Sequence, residues 1–168
     1  MARSHEIYLI RHGVAEERGD AWPDDTRRPL TERGMDRLRK SARGLARLEV
    51  ALEVVLTSPL VRAKQTADIV ASAFDPRPHI VTADSLAPGG SYQALVADLE
   101  KQSRRTSIAL VGHEPGMGEL AARLAGSRHP FELKKGAVIR IDVDALPPTL
   151  PGTLKWFLTP RILRAIRG

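Results

Sequence analysis

Apolar residues in this chain come in two patterns that alternate along it. Ile7-Tyr8-Leu9-Ile10, Val54-Val55-Leu56 and Ile108-Ala109-Leu110-Val111 are short unbroken runs, the signature of strands buried on both faces. Ile80-Val81 reads as a short third strand. Between these runs the spacing becomes helical. Thr31 is placed to cap a helix reaching about Glu49, with Leu38, Ala42, Leu45 and Leu48 along one face. A second helix spans about Leu60 to Phe74 and buries Val61, Ala67, Ile69, Val70 and Ala73. A third, capped by Ser91, buries Leu95, Val96 and Leu99. Glu114-Pro115 opens a fourth, with Pro115 suited to its first position and Leu120, Ala121 and Leu124 facing inward.

Two late strands, Ala137 to Val143 and Thr153 to Leu158, are separated by a turn-rich link through Pro147-Pro148 and Pro151-Gly152. A last short helix covers Pro160 to Arg167. Its Arg161, Arg164 and Arg167 could guide an acidic partner, but the simpler reading is a solvated face packed through Ile162 and Ile166. Strands alternating with helices predict a three-layer α/β/α sandwich. Its sheet is mostly parallel, of about six strands, with an antiparallel strand at the edge from the last pair. No repeat, low-complexity tract or linker divides the chain, so residues 1–168 are expected to form a single domain.

Composition narrows the function. Apolar content of 42% and charged content of 27% are those of an ordinary globular protein. No apolar run approaches the length of a membrane helix, and the N-terminus lacks the apolar core of a signal peptide. A cytoplasmic location without membrane contact is the expectation. Cysteine is absent, which excludes disulfides, thiolate catalysis and cysteine-ligated metals. The net charge is +6, but only six of the 26 basic residues are lysine and the charges are scattered among acids. Such a balance reflects base composition more readily than a nucleic-acid surface, and aromatic platforms for single strands are lacking.

A parallel sheet presents all its strand ends on one side, where α/β proteins bind their ligands. Arg11-His12-Gly13 closes the first strand, Ser58-Pro59 the second, and His113 the later one, while Arg62 stands in the first turn after Ser58-Pro59. Singly, these residues could punctuate strand ends or sit on a helix surface. Together they bring two imidazoles and two guanidinium groups to one crevice. Guanidinium forks match phosphate oxygens and stay charged at working pH, so the crevice suits a phosphoryl group. Arg28 reads equally as a surface charge or as a contact at the phosphate rim. Thr31 reads as a helix cap. His5, His79 and His129 lie away from the strand ends. A metal site on His12 and His113 would need further ligands, and neither a His-x-Glu-x-x-His motif nor a carboxylate cluster accompanies them. No metal and no cofactor is assigned.

Four stretches in order carry a resemblance: Arg11-His12-Gly13; Leu30-Thr31-Glu32-Arg33-Gly34; Ser58-Pro59-Leu60-Val61-Arg62-Ala63-Lys64-Gln65-Thr66; and Gly112-His113-Glu114-Pro115. Together they resemble the motifs of the histidine phosphatase superfamily. The short length, the lack of an inserted lid and the segment Leu86-Ala87-Pro88-Gly89-Gly90 are similar to the small SixA-type phosphohistidine phosphatases. The resemblance implies a phosphoglycerate mutase-like fold and metal-independent phosphatase activity. It casts His12 as the nucleophile that carries the phosphoryl group, and Arg11, Arg62 and His113, with Arg28 at the rim, as its binding pocket. Neutral imidazole can play that part near pH 7 if its far nitrogen keeps a proton bonded to a backbone carbonyl.

The chain also departs from the wider superfamily. Val14-Ala15 follows Gly13 where a polar residue is usual, Arg18 stands near an asparagine position, and Leu86 to Gly90 holds no carboxylate where a general acid is expected. An alkoxide leaving group needs such an acid, worth about 10²–10⁴ in rate. The nitrogen of a phosphoramidate can be protonated before the bond breaks. The missing acid therefore favours phosphohistidine on a partner protein, for instance a phosphotransfer domain. Asp84, Glu16, Glu17, Asp20, Asp24 and Asp25 are the substitutes at hand. A small-molecule phosphomonoesterase is the alternative within the superfamily, and a non-catalytic polyanion-binding module the alternative outside it.

Overall fold

The computed structural model describes residues 4–168. Each apolar run lies in it as a strand: β1 (His5–Arg11), β2 (Val54–Thr57), β3 (His79–Thr82), β4 (Ser107–Gly112), β5 (Val138–Val143) and β6 (Thr153–Leu158). The helices are α1 (Glu32–Ala46), α2 (Val61–Ala71), α3 (Tyr92–Glu100), α4 (Gly116–Ala125) and α5 (Pro160–Ala165). The strands make one sheet in the order β3-β2-β4-β1-β5-β6. β1 to β4 are mutually parallel, β5 is antiparallel to β1, and β6 is antiparallel to β5. Antiparallel pairing thus falls at the end of the sheet where the Pro-rich link predicts it. The strand that opposes the rest is β5, one place in from the edge, and β6 turns back along the edge in the common direction.

The pleat divides the core into two halves. Ile7, Leu9, Leu56, Ile108, Leu110 and Ile139 point to one face and pack with Leu95 and Leu99 of α3 and Leu120 and Leu124 of α4. Tyr8, Ile10, Val55, Ala109 and Val111 point to the other, against Ala42 and Leu45 of α1, Ala67 and Val70 of α2 and Leu163 of α5. Period-2 alternation inside a continuous apolar run is what lets one strand feed both layers.

Local chemistry sets the helix ends, and it amends four expectations. Thr31 and Ser91 cap α1 and α3 as expected, accepting from the amides of Gly34 and Ala94 at 2.9 and 3.1 Å. α1 stops at Ala46 rather than near Glu49, because the chain leaves through Glu49 in the left-handed region at φ 56°. α4 begins at Gly116, with Pro115 as its cap residue, because the Glu114 carboxylate takes the Gly118 amide at 2.7 Å. Val61, Ile69 and Ala73 of α2 and Val96 of α3 are only partly buried. The buried side of α2 is Arg62, Ala63, Thr66, Ala67, Val70 and Ala71. In α5 it is Leu163 that turns inward, while Ile162 stays 49% exposed.

α5 docks closely on α1. A Cβ at Gly44 would lie 1.8 Å from the Leu163 carbonyl oxygen, so only glycine permits this approach. Gly44→Ala forces the two helices apart, and overpacking of this kind costs about 1–3 kcal/mol. Urea unfolding should show a lowered midpoint for the variant; an unchanged midpoint would contradict the close packing.

Candidate active site

Sheet register brings the strand ends together. Arg11 lies opposite Gly112 and Thr57 opposite Val111. One residue further on, the His12 amide donates to the Gly112 carbonyl and the Ser58 amide to the Val111 carbonyl, both at 3.0 Å. Three segments distant in sequence therefore end side by side. The His12 and His113 rings stand 5.1 Å apart between centroids, tilted by 57°. Each is 7% exposed, and Arg62 is 2% exposed.

His12 Nδ1 is 2.7 Å from the Gly13 carbonyl oxygen. A carbonyl only accepts, so the proton belongs on Nδ1 and the lone pair on Nε2. The turn is held from α2: the Gly13 amide donates to Thr66 Oγ1 at 3.1 Å, and that hydroxyl donates to the Arg62 carbonyl at 2.7 Å. His113 Nε2 is 2.7 Å from Ser58 Oγ, which also accepts from the Leu60 amide at 3.3 Å. Ser58 Oγ can donate its hydrogen to Nε2, and in that arrangement the ring proton lies on Nδ1.

The arginines are anchored through part of each fork. Arg11 donates from Nη1 to the Leu133 carbonyl at 2.8 Å, on a loop whose Leu133 amide is in turn bonded to Glu114 Oε2 at 3.3 Å. Arg62 donates to the Asp25 carbonyl at 2.8 Å and to Asp25 Oδ2 at 3.0 Å. Asp25 Oδ1 accepts from Arg28 Nε at 2.8 Å, and Arg28 Nη1 donates to the Glu16 carbonyl at 2.7 Å. Arg11 Nε, Arg62 Nε and His113 Nδ1 remain buried without a hydrogen-bond partner. The fourth such atom among the described residues is Ser107 Oγ, at the opposite end of β4. Buried polar groups are nearly always satisfied, so two unsatisfied guanidinium N–H groups beside an unpartnered imidazole nitrogen mark an anion site.

The family model of the histidine phosphatase superfamily (branch 1) matches residues 7–87. An uncharacterized protein of Picosynechococcus is 41% identical over 144 residues, which is 83% of this chain and 86% of the relative. This chain belongs to the histidine phosphatase superfamily. Phosphohistidine phosphatase SixA of Escherichia coli is 29% identical over 165 residues, 97% of this chain and 99% of that protein. A solved structure of the protein histidine phosphatase SixA complexed with tungstate has a TM-score of 0.82 at 28% identity, covering 94% of this chain and 99% of that one.

The structure brings together His12, His113, Arg11 and Arg62, the residues expected at the site, and ties Arg28 to them through Asp25. Arg28 is buried and shares Asp25 with Arg62, so it is not a free surface charge. His79 and His129 are exposed, and His5 Nδ1 is 2.7 Å from the Arg105 carbonyl oxygen. Ser58, Thr66 and Glu114 were overlooked as supports of the site. Asp25 figured only as one of several acids. Its place three residues before Arg28 is the spacing of a local ion pair, the one sequence signal that could have found it.

The histidine protonation follows from burial first and from the neighbouring cations second. Burial pushes His12 down to about 3, with His113, Arg62 and Arg11 adding to the effect against the Gly13 bond. His113 is pushed down to about 4 by burial and then by Arg62. Asp25 is held below the usual carboxylate range, chiefly by its bond to Arg28. At neutral pH the site therefore holds neutral imidazoles beside an ionised carboxylate. Asp25 in that form orients guanidinium groups and has no proton to donate.

Two outcomes are expected. Ring-nitrogen NMR should show His12 as the neutral Nδ1–H tautomer from pH 8 down to pH 5; protonation near the ordinary value of 6.5 would contradict the burial. Unfolded histidines bind protons below about pH 6.5, while these two folded ones stay neutral down to about 4 and 3. The unfolded state then binds more protons, so stability is full above pH 6.5 and falls as the pH drops through that window. Replacing both histidines by glutamine should flatten this part of the curve in urea titrations.

Proposed function

We propose that this protein is a metal-independent phosphatase that removes the phosphoryl group from phosphohistidine on a partner protein. Residues 1–168 act as one histidine phosphatase domain. The observation that supports this most is the pair of buried, unsatisfied guanidinium N–H donors on Arg11 and Arg62, with the unpartnered Nδ1 of His113, beside an imidazole whose Nε2 carries the lone pair. Phosphoryl oxygens would satisfy those donors, and the fixed cations would stabilise charge on the equatorial oxygens without reorganising.

In the first step His12 Nε2 attacks phosphorus in line and the phosphorus–nitrogen bond of the substrate breaks. The bonding pair leaves with the substrate imidazole, which is protonated from solvent. Water then attacks phospho-His12, and inorganic phosphate departs as Nε2 recovers its lone pair. Arg62 and Arg11 hold the transferring oxygens, and Arg28 steadies Arg62 through their shared Asp25.

A phosphorus–nitrogen substrate is favoured by the state of Asp25. The carboxylate bound to the site's arginines is ionised, and Asp84, Glu16, Glu17 and Asp20 are exposed on the surface, while Asp24 accepts from the Thr26 amide and hydroxyl. None is set in the crevice as a proton donor for an alkoxide. SixA, similar over nearly the whole chain, is a protein histidine phosphatase by name, and its structure carries tungstate, a tetrahedral oxyanion. A phosphotransfer domain is the fitting partner class. The cytoplasm is the fitting location, and no helix among the described residues is long and apolar enough to cross a membrane.

The decisive experiment is incubation with labelled phosphoramidate, followed by a quench. Acid-labile, base-stable label on His12 is expected. His12→Ala should lower turnover by about 10⁴-fold or more and Arg62→Ala by about 10²–10³-fold. Full activity in His12→Ala would overturn the mechanism. Turnover of aryl phosphate faster than phosphoramidate would instead favour a small-molecule phosphomonoesterase. Salt-sensitive RNA binding without any turnover would favour a polyanion-binding module.

A further inference from the structure

A groove of about 830 Å³ runs between α1, α5 and the loop that leads into β5. Arg37, Lys134, Lys135, Arg161 and Arg164 line it, and no aspartate or glutamate does. Among the described residues none of these five side chains is in an ion pair. Elsewhere Arg18, Arg28, Arg39, Arg62, Arg77, Lys101, Arg105 and Arg140 are paired with carboxylates. The fold thus gathers five basic side chains, distant in the sequence, into one groove without an acid. The arginines of the last helix, which read as a merely solvated face, share one wall with lysines some 30 residues earlier in the chain.

The groove touches the catalytic turn. Arg11, Gly13 and Val14, which flank His12 in the chain, are among the residues that line it. Lys134 and Lys135 precede Gly136, whose amide donates to the carbonyls of Arg11 and His12 at 3.0 and 3.1 Å. Its surface is not purely cationic. Val14 and Ile162, 38% and 49% exposed, are among the few large apolar side chains left open to solvent, and both lie in this groove.

We propose that this groove docks an acidic, partly apolar face of the phosphohistidine-bearing protein, adjoining the histidine whose phosphoryl group is transferred. The inference rests on the function proposed above and adds to it the character of the partner surface. Unpaired cations beside a reaction centre raise the encounter rate of an anionic partner and set its orientation. The exposed valine and isoleucine supply the apolar contact that a protein face offers and a phosphate backbone does not. Single-stranded nucleic acid would call for aromatic stacking surfaces, and no aromatic residue lines the groove.

The test uses two phosphohistidine peptides, one flanked by glutamates and one by serines, together with free phosphohistidine. The wild type should hydrolyse the glutamate peptide with a kcat/KM at least tenfold above the serine peptide at low salt, and the preference should shrink as salt rises. The variant Lys134→Glu/Lys135→Glu/Arg161→Glu should lose or reverse that preference while turning over free phosphohistidine within about twofold of wild type, which also shows that it is folded. Equal kcat/KM for the two peptides in the wild type would overturn the docking role. So would a preference that survives in the variant, or an RNA oligomer bound through these residues when the glutamate peptide is not. Absence of turnover on free phosphohistidine would instead sink the proposed function. Fluorescence anisotropy with the unphosphorylated glutamate peptide then decides the docking role by itself: weaker binding to the variant supports the groove, and equal binding refutes it.

Discussion

The burial of Arg62 is the constraint from which the rest of the site follows. A guanidinium group cannot shed its charge, and one taken out of water must be met by acceptors. Asp25 supplies them for one side of the fork through its carbonyl and its carboxylate, and the same carboxylate holds Arg28. The Nε side is left unmet, as it is on Arg11. The protein thus keeps a concentrated positive potential at the mouth of the sheet, partly neutralised and open to one further anion.

Burial decides protonation, and that potential reinforces it. Two imidazoles taken out of water beside buried cations cannot hold extra protons, so His12 and His113 are driven down to about 3 and 4. For a nucleophile this is the useful direction, since the lone pair on Nε2 is present throughout the physiological range. The Gly13 carbonyl fixes which nitrogen bears it. The bond to Arg28 keeps Asp25 ionised, so it has no proton to donate, and the proposed chemistry favours leaving groups that need none. In the proposed function, binding, nucleophilicity and the choice of bond to break all follow from this one buried cluster.

The outer surface extends the theme at lower intensity. Inside the crevice each cation is held in a fixed direction by a backbone or side-chain acceptor, as precise oxygen contacts require. In the neighbouring groove the cations are unpaired and mostly exposed, which suits long-range attraction and loose complementarity. The two regions meet at Arg11, Gly13 and Val14, so a partner docked in the groove as proposed would lie beside His12.

Much of this was legible in the linear chain. Uninterrupted apolar runs mark strands whatever surrounds them, because a strand buried on both faces needs no polar positions. Thr31 and Ser91 act within one helical turn, so their capping role needs no distant partner. Arg11-His12, Ser58-Pro59, Arg62 and His113 could be grouped because parallel strands must present their ends on one side. Other features depend on separations that only the folded chain closes. Whether α2 buries Val61 or Arg62 was undecidable from hydropathy, since the helix turns its charged side chain toward Asp25, 37 residues away. The role of Asp25, the support of Arg11 by Leu133 and Glu114, and the convergence of Arg37, Lys134 and Arg161 on one groove are of the same kind. Sequence determines what is dictated by neighbours a few residues apart and by the common direction of parallel strands. Which charges meet which acceptors across the molecule is decided by packing alone, because coulombic and hydrogen-bonding partners are chosen by distance in space.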